Sequence, residues 1–353
     1  MKLLFLLSVF IILQGIGPKK IIIDVERQDR LKISELADTV IAICLKTDEF
    51  VFHNIDKVFL ADNNILLFEL YQENGFVYSR VMKFDFSGNY LGQIGERDLK
   101  SKEFLRIYDM KYDNTTGVIY LVYQDGNRAY EKNGQLLTFY NANGRKPGVR
   151  AVQEYIYRNQ IWGTTYSHKD GITSNNFICM DLNGKNQVLL KNFISETNMS
   201  SSAVFYLANL STYKNELFIS VGLDRTLYMV NQKKLVPTYS IEFKNLPASS
   251  INLGLNQLMT GKYFRNNYWI GNDSFDFLYN IETGKSYNIK YHYQNNELTS
   301  GLEDDFYNTG FLSINQTNRE DYFYFIKQPS VIEGSELSKP EKKNPIIFLV
   351  KLR

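Results

Sequence analysis

The residues best suited to chemistry are few and lie far apart in this sequence. Its three histidines are His53, His168 and His292. Three histidines can hold a metal ion when a fold brings them to one place. Here each histidine has a different position relative to the apolar runs around it, which favours three separate histidines over a shared metal site.

Other catalytic or metal-binding patterns are scarce. Residues 303–305 (EDD) form an acidic cluster that could bind Ca²⁺ or act as an acid and base, although a solvated loop is the simpler interpretation. The sequence has no G-x-S-x-G, H-E-x-x-H, Walker A or EF-hand motif. Cys44 and Cys179 lie in apolar runs typical of buried strands, and a disulfide between them is left open. We therefore predict no cofactor, with Ca²⁺ as the open alternative.

A basic and aromatic set of residues is the strongest candidate for ligand binding. Its members lie in or next to predicted connections between strands, which a closed ring of sheets would gather into one funnel. Such a funnel suits an anionic or carbohydrate ligand, because arginine binds carboxylate and phosphate through paired hydrogen bonds. Ordinary exposed charges and packing aromatics are the competing interpretation. The set comprises Arg97, Arg145, Arg150, Trp162, His168, Asp170, Arg225 and Trp269.

The composition favours an all-β chain. The 353 residues include 25 tyrosines and 24 phenylalanines but 2 tryptophans and 7 prolines, and 44% of them are hydrophobic. Aromatic residues fit pleated, half-buried surfaces, and this apolar content excludes a chain that is disordered throughout. The net charge of +2 offers no basic footprint for nucleic acid. No stretch shows three helical turns with an apolar period of 3.6 residues.

The first residues have the pattern of a secretory signal peptide. A basic start precedes an apolar run over residues 3–13, and small residues follow at positions 15 and 17. We predict a signal peptide at 1–17 and a single domain over 18–353, located in the periplasm or outside the cell. An uncleaved anchor and a buried strand are the alternatives. No cysteine follows the run as a lipid anchor requires, and no later stretch is apolar enough to span a membrane.

Short turn sequences recur at a regular spacing along the rest of the chain. Glycines at 88, 134, 184 and 284 mark four of them, and Gln232-Lys233 marks a fifth, so that the spacing is 46 to 52 residues. We expect two-residue turns at the glycines, because Asn-Gly supports the positive φ that such turns need, and a different turn at Gln232-Lys233. A unit of this length with four strands is typical of a β-propeller.

These repeats predict a six-bladed β-propeller of four-stranded antiparallel blades, closed by an N-terminal strand. The sixth unit is expected from residues 306–313, 322–327 and 346–352, and it lacks an outermost strand. Residues 21–25 or 40–45 could supply that strand and cover the exposed edge. A β-helix would need shorter rungs and a pair of β-sandwiches would need a linker, and neither feature is seen.

Two segments resemble a known family. The order IIID, LKISELAD and ICLKT within residues 21–47, followed by FDFSGNYLGQIG at 84–95, resembles six-bladed β-propeller proteins of the Bacteroidetes. These proteins are related in architecture to NHL-repeat and TolB-like propellers. A glycine-containing loop of the family is represented here only by Glu103-Phe104. The resemblance implies a secreted or envelope protein and no particular reaction.

The sequence favours a non-catalytic binding protein over an enzyme. It contains no recognisable nucleophile, base or metal constellation, which leaves the funnel as a site for a peptide, a glycan or a partner protein. The alternative is a metal-dependent lyase or hydrolase that acts at the central channel. We expect a monomer that neither binds nucleic acid nor spans a membrane.

Overall fold

The structure is a computed structural model that describes residues 17–73, 76–95, 107–123, 125–141, 151–169, 172–195, 208–221, 224–247, 256–271, 273–294, 297–327 and 344–353. These residues contain 29 strands and one four-residue helix, α1 (Ile33–Leu36). Among them, no helix is long and apolar enough to cross a membrane. The chain is an all-β propeller, as its composition and repeats predict.

Each of the first four large sheets contains four consecutive strands, and each of these strands pairs antiparallel with the next one along the chain. The first sheet contains β4 (Ile55–Ala61), β5 (Asn64–Glu73), β6 (Phe76–Asp85) and β7 (Tyr90–Ile94). The second contains β8 (Asp109–Asp113), β9 (Val118–Tyr123), β10 (Gly126–Tyr130) and β11 (Leu136–Asn141). The third contains β12 (Ala151–Tyr157), β13 (Gln160–Lys169), β14 (Ile172–Asp181) and β15 (Val188–Ser195). The fourth contains β16 (Ala208–Tyr213), β17 (Glu216–Val221), β18 (Thr226–Asn231) and β19 (Lys234–Lys244), with β1 (Lys19–Asp24) beside β19.

The remaining strands form three further sheets. The fifth contains β20 (Asn256–Thr260), β21 (Tyr263–Ile270), β22 (Asp273–Asn280), β23 (Ser286–Gln294) and β24 (Glu297–Ser300). The sixth contains β27 (Asn315–Gln316), β28 (Tyr322–Lys327), β29 (Ile346–Leu352) and β3 (Ala37–Cys44). A small three-stranded sheet contains β2 (Leu31–Lys32), β25 (Leu302–Asp304) and β26 (Gly310–Leu312). Residues 306–313 therefore do not supply the first strand of the sixth sheet. The strand within this range, β26, pairs with β25 instead.

All five turns found in the sequence connect the third and fourth strands of their sheets, but their geometry differs from the prediction. At Gly88 the turn is longer than two residues, since the N–H of Asp85 donates to the carbonyl of Asn89 and the N–H of Gly88 donates to the carbonyl of Asp85. In contrast, Gln232 (φ 46°) and Lys233 (φ 60°) form the two-residue turn with positive φ at both positions. The cross-strand pairing around them holds this backbone without glycine.

The N-terminal segment runs along the outer edges of several sheets. β1 pairs in parallel with β19 of the fourth sheet. Asp29 then accepts a hydrogen bond of 2.7 Å from the N–H of Asn288 on β23 of the fifth sheet. β3 pairs antiparallel with β29 over seven registered residues. Residues 21–25 and 40–45, the two candidate edge strands of the sequence, thus lie on different sheets, the fourth and the sixth.

The hydrophobic core is divided among the spaces between sheets. Among the described residues, five clusters join sheets that are consecutive in the chain, and a sixth cluster joins the sixth sheet to the first. Phe68 and Leu121, for example, lie in the cluster between the first and second sheets. Ile65 and Ile347 lie in the cluster between the first and sixth. Because burial of one such side chain contributes about 1.5–3 kcal/mol, contact between neighbouring sheets is the main source of stability.

The three-stranded sheet packs inside one of these interfaces. Leu31, Leu302 and Leu312, one from each of its strands, are buried in the cluster between the fifth and sixth sheets. The N-terminal segment passes from this sheet through α1 into β3. The small sheet therefore fills the space between two larger sheets.

Candidate functional site

A cavity of about 370 Å³ lies between the first strands of the six larger sheets. Residues of β4, β8, β12, β16, β20 and β27 all contribute to its walls. Among the described residues, the three-stranded sheet contributes none. We call this cavity the central channel. Its polar lining consists of Asp56, Lys57, Asp109, Lys111, Tyr112, Tyr155, Asn209, Ser211, Thr212, Asn315, Gln316, Thr317, Asn318, Glu320 and Tyr324.

Three charged side chains form a connected group in the channel. The Nζ atom of Lys57, on β4, lies 2.5 Å from Oδ1 of Asp109 on β8. The Nζ atom of Lys111 lies 2.5 Å from Oδ2 of the same carboxylate. Asp109 and Lys111 share one face of β8 because successive side chains of a strand alternate. Their side chains keep contact with solvent, since Lys57 is 31% exposed and Asp109 is 25% exposed.

The surroundings of this group shift its pKa values. Burial lowers the pKa of Lys57, and the neighbouring ammonium group of Lys111 lowers it further. Burial by itself would raise the pKa of Asp109, but the ammonium groups of Lys111 and Lys57 outweigh it and hold that pKa below its usual range. Asp109 is therefore ionised at neutral pH, with both oxygens engaged by lysines, and is poorly suited to accept or donate a proton.

A second cavity of about 290 Å³ adjoins the channel where turns between first and second strands meet. We call it the channel mouth. Four polar residues line both cavities, namely Tyr112, Tyr155, Thr212 and Glu320. The remaining polar lining of the mouth consists of Asp62, Asp113, Asn114, Thr115, Tyr157, Asn215, Arg319 and Asp321. Four carboxylates against one arginine give this lining a negative charge.

Neutral polar groups of the channel hold first strands of different sheets in place. The side-chain oxygen of Asn318 accepts a hydrogen bond of 2.6 Å from the N–H of Leu60, and its amide donates to the carbonyl of Leu60 at 3.0 Å. The amide of Gln316 donates to the carbonyl of Met259 at 2.9 Å. The channel is thus a preorganised array of polar groups, which lowers the ordering cost of binding a polar ligand.

Half of the residues predicted for the funnel lie outside the described residues. These are Arg97, Arg145, Arg150 and Asp170. His168 lies on β13, and its side chain is also outside the described part of the chain. The prediction for these five residues remains a prediction.

Of the remaining three residues, Trp162 does not face a funnel as predicted. Its side chain is 4% exposed and packs between the third and fourth sheets, and its indole N–H donates to the carbonyl of Tyr157 at 3.2 Å. A side chain in this position is unavailable to a ligand. Arg225 is exposed and lies 5.4 Å from the ring centroid of Phe243 on β19 of the fourth sheet. Trp269 is 38% exposed at the end of β21, so that these three residues lie on three different sheets.

The other candidate groups have separate positions. His53 precedes the first sheet and stacks on Tyr71 with 4.5 Å between ring centroids, whereas His292 lies on β23 of the fifth sheet. In the acidic cluster, Asp304 accepts hydrogen bonds within its own turn and Asp305 accepts from Ser34 at 2.5 Å and 3.0 Å. Within the described ranges, no group of three His, Cys, Asp or Glu side chains could hold a metal ion. Cys44 and Cys179 form no disulfide with each other.

Sequence reasoning missed Lys57, Asp109 and Lys111. β8 is five residues long and three of them are charged, and β4 has charged residues near its start before a short apolar run. Neither strand has the long apolar run by which other strands are recognised. The sequence did contain one signal for these residues. A first strand that faces a channel can be recognised by charged residues at alternate positions, followed by a strongly apolar strand. Asp109 and Lys111 before β9 have this pattern.

Fold and site together define a β-propeller with a polar channel at its centre. The sequence matches the model of DUF5128, a family described as a 6-bladed β-propeller, over residues 14–329, and the chain belongs to this family. Comparison with curated proteins gives no match.

Solved structures that resemble the chain are distant in sequence. A candidate exported protein of Bacteroides fragilis is 15% identical with a TM-score of 0.61, over 95% of this chain and 99% of that one. A DUF4221 member from Bacteroides vulgatus is 10% identical with a TM-score of 0.49, over 93% and 99%. A gluconolactonase from Xanthomonas campestris is 9% identical with a TM-score of 0.42, over 93% and 94%. The first likeness supports the fold alone, and the other two scores are too low to carry an argument.

Proposed function

We propose that this protein is a non-catalytic binding protein that takes a polar ligand in the central channel. The ligand is a peptide, a glycan or a segment of a partner protein. The observation that carries the proposal is that polar side chains from five of the six larger sheets line the channel and that its central charged group is already paired. Lys57 and Lys111 engage both oxygens of Asp109, which suits a fixed binding surface better than proton transfer.

A six-bladed ring closed by β3 is part of this proposal. The six larger sheets each supply a first strand to the channel, and the six clusters link these sheets in a cycle. The three-stranded sheet supplies no lining residue among those described and packs between the fifth and sixth sheets, so we treat it as an insertion. β3 occupies the outermost position beside β29 and would join the two ends of the chain in one blade.

The proposal includes export of the protein across the inner membrane. The basic start and the apolar run at 3–13 support a signal peptide at 1–17, followed by a single propeller domain over 18–353. The mature protein would act as a monomer in the periplasm or outside the cell, in the manner of an NHL-like propeller of the Bacteroidetes. Fractionation of cells that express the full chain tests this route, since recovery in the cytoplasm with residue 1 retained would contradict it.

Ligand binding is best tested on the mature chain by thermal unfolding and calorimetry. The probes are a neutral trisaccharide, a galacturonic acid trisaccharide, neutral and charged tripeptides, and a diamine. We expect one probe to raise the unfolding temperature in a concentration-dependent manner, because a ligand that binds the folded state stabilises it. Lys57→Gln should weaken that binding, whereas Lys20→Gln, at a position 74% exposed, should leave it unchanged.

Two results would overturn the proposal. One is that no probe binds the folded protein. The other is that the purified protein retains one equivalent of tightly bound metal and converts a probe, which would favour the metal-dependent lyase or hydrolase instead. Elemental analysis and product analysis of the same samples distinguish these results.

A further inference from the structure

Asp113 lines the channel mouth, and within the described part of the chain only one of its two carboxylate oxygens accepts a hydrogen bond. Asp113 ends β8, lines the mouth and is 2% exposed. Its Oδ1 accepts hydrogen bonds from the N–H and the hydroxyl of Thr115, at 2.9 Å and 2.6 Å. Its Oδ2 is buried without a hydrogen-bond partner among the described residues. A buried oxygen of this kind is costly without a donor, so its position favours a donor that comes from outside the chain.

Three tyrosines line the same cavity as this carboxylate. Tyr112, Tyr155 and Tyr157 all line the mouth. Burial is the main cause of the raised pKa of each phenol, and the negative charge of Asp113 adds to the rise in all three. Asp113 is therefore close enough to act on each of them. A carboxylate among tyrosine rings is an environment that attracts organic cations, because the ring faces and the carboxylate are both negative.

Cations of the chain itself already occupy the rim of the mouth. The ammonium group of Lys132 pairs with Asp62, and the guanidinium group of Arg158 lies 4.8 Å from the ring centroid of Tyr157. Arg319 pairs with Asp321 at 2.7 Å. These contacts neutralise two of the four carboxylates that line the mouth.

The other two carboxylates of the mouth pair with no cation in the described part of the chain. Among the described residues, neither Asp113 nor Glu320 forms an ion pair, although Glu320 accepts a hydrogen bond of 2.6 Å from the N–H of Lys214. Both lie within the cavity of about 290 Å³. The mouth therefore combines two uncompensated negative charges with the unsatisfied oxygen of Asp113, and these features fit a positively charged hydrogen-bond donor.

We propose that the channel mouth binds a primary ammonium group and that Asp113 is the carboxylate that receives it. The inference rests on the proposed function, because it gives the chemistry of one end of the ligand in the same channel. A primary ammonium has three N–H donors, which can be shared between Asp113 and Glu320. A lysine side chain of a peptide and the end of a polyamine both present this group.

Calorimetric titration of the mature chain tests the inference with two amine probes. Spermidine represents a free polyamine, and acetyl-Gly-Lys-Gly-amide represents lysine in a peptide. Asp113→Asn keeps the acceptor for Thr115 and removes the charge, so we expect about tenfold weaker binding or more, since a hydrogen bond to a charged group is worth about 1.5–3 kcal/mol. Asp48→Asn removes the same charge from an exposed position and should bind as the native protein does.

Each other outcome decides against the inference in a different way. Equal binding by the native protein and Asp113→Asn would overturn it, as would tight binding of calcium chloride without binding of either amine. If both amines fail while a saccharide or a neutral tripeptide binds, the inference is wrong and the proposed function stands. If no probe binds, both the inference and the proposed function are wrong. Thermal unfolding verifies that Asp113→Asn is folded, and Glu320→Gln replaces it if it is not.

Discussion

Lys57 and Asp109 come from the first strands of neighbouring sheets and meet in the central channel, with 2.5 Å between Nζ and Oδ1. The two residues are 52 positions apart in the sequence. Lys111 approaches the same carboxylate from its own strand. The carboxylate thus separates two ammonium groups and links the first sheet to the second.

Loss of this carboxylate should destabilise the protein. Asp109→Asn leaves Lys57 and Lys111 facing each other without a counter-charge, and we expect a loss of about 1–3 kcal/mol in the free energy of unfolding. Urea unfolding measures it. Lys111→Met should cost less in the Asp109→Asn background than in the native protein, because its partner is already absent. Strict additivity of the two substitutions would contradict the coupling.

The same carboxylate should give the stability a defined pH dependence. The pKa of Asp109 is lower in the folded state than in the unfolded chain, where a value of about 3.9 is usual. Its contribution is therefore complete above the unfolded pKa and is lost as the pH falls through the folded pKa. The difference in unfolding free energy between the native protein and Asp109→Asn should stay constant from pH 7 to about pH 5 and shrink as the pH falls below about 4. A constant difference would exclude this residue as the cause.

Gly88 joins the first sheet to the N-terminal segment and should not tolerate a side chain. Its φ is +83°, and a Cβ atom there would overlap the carbonyl oxygen of Cys44. Gly310 has a φ of +84° and open space around the same position, so it is a matched control. We expect Gly310→Ala to cost about 1–2 kcal/mol from backbone strain and Gly88→Ala to cost at least about 1 kcal/mol more from the overlap. Equal losses of unfolding free energy for the two variants would contradict this expectation, because they would mean that the backbone at Cys44 moves away from the new side chain at no cost.

The buried ion pair of the fifth sheet should be intolerant of charge removal. Arg265 donates to both oxygens of Asp276 at 2.9 Å and 2.8 Å, and the hydroxyl of Tyr291 donates to Oδ2 at 3.0 Å. Asp276 is fully buried, so Asp276→Asn leaves the guanidinium uncompensated and should cost about 3–5 kcal/mol. Asp38→Asn breaks an Arg–Asp pair whose side chains are both 56% exposed and should produce no clear change. Similar losses for the two variants would contradict the role of burial.

The two cysteines should differ in reactivity. Cys179 is 1% exposed and burial raises the pKa of its thiol to about 11, whereas Cys44 is partly exposed. Because the thiolate is the reactive form, iodoacetamide at pH 8 should modify Cys44 first and Cys179 at a rate limited by unfolding. Peptide mass spectrometry follows both sites. Faster modification of Cys179 under native conditions would contradict its burial between the third and fourth sheets.

Local patterns in the sequence were sufficient to predict the all-β fold and the turns that repeat along it. Apolar runs such as residues 118–123 mark strands, and glycines such as Gly88 mark turns, because both signals depend on neighbouring residues. Turn geometry was less predictable. Gln232-Lys233 adopts positive φ at both positions because the paired strands β18 and β19 impose it.

The candidate site depended on contacts that local patterns do not contain. Trp162 had the residue type of a ligand-binding side chain, but packing against Phe177 and the fourth sheet buries it. Asp113 had the sequence pattern of a turn residue, and only the meeting of several sheets buries it in the wall of the channel mouth. Composition and repeat spacing determined that this chain forms a propeller. The tertiary structure decided which charges meet at its centre, because those contacts join strands that are distant in the sequence.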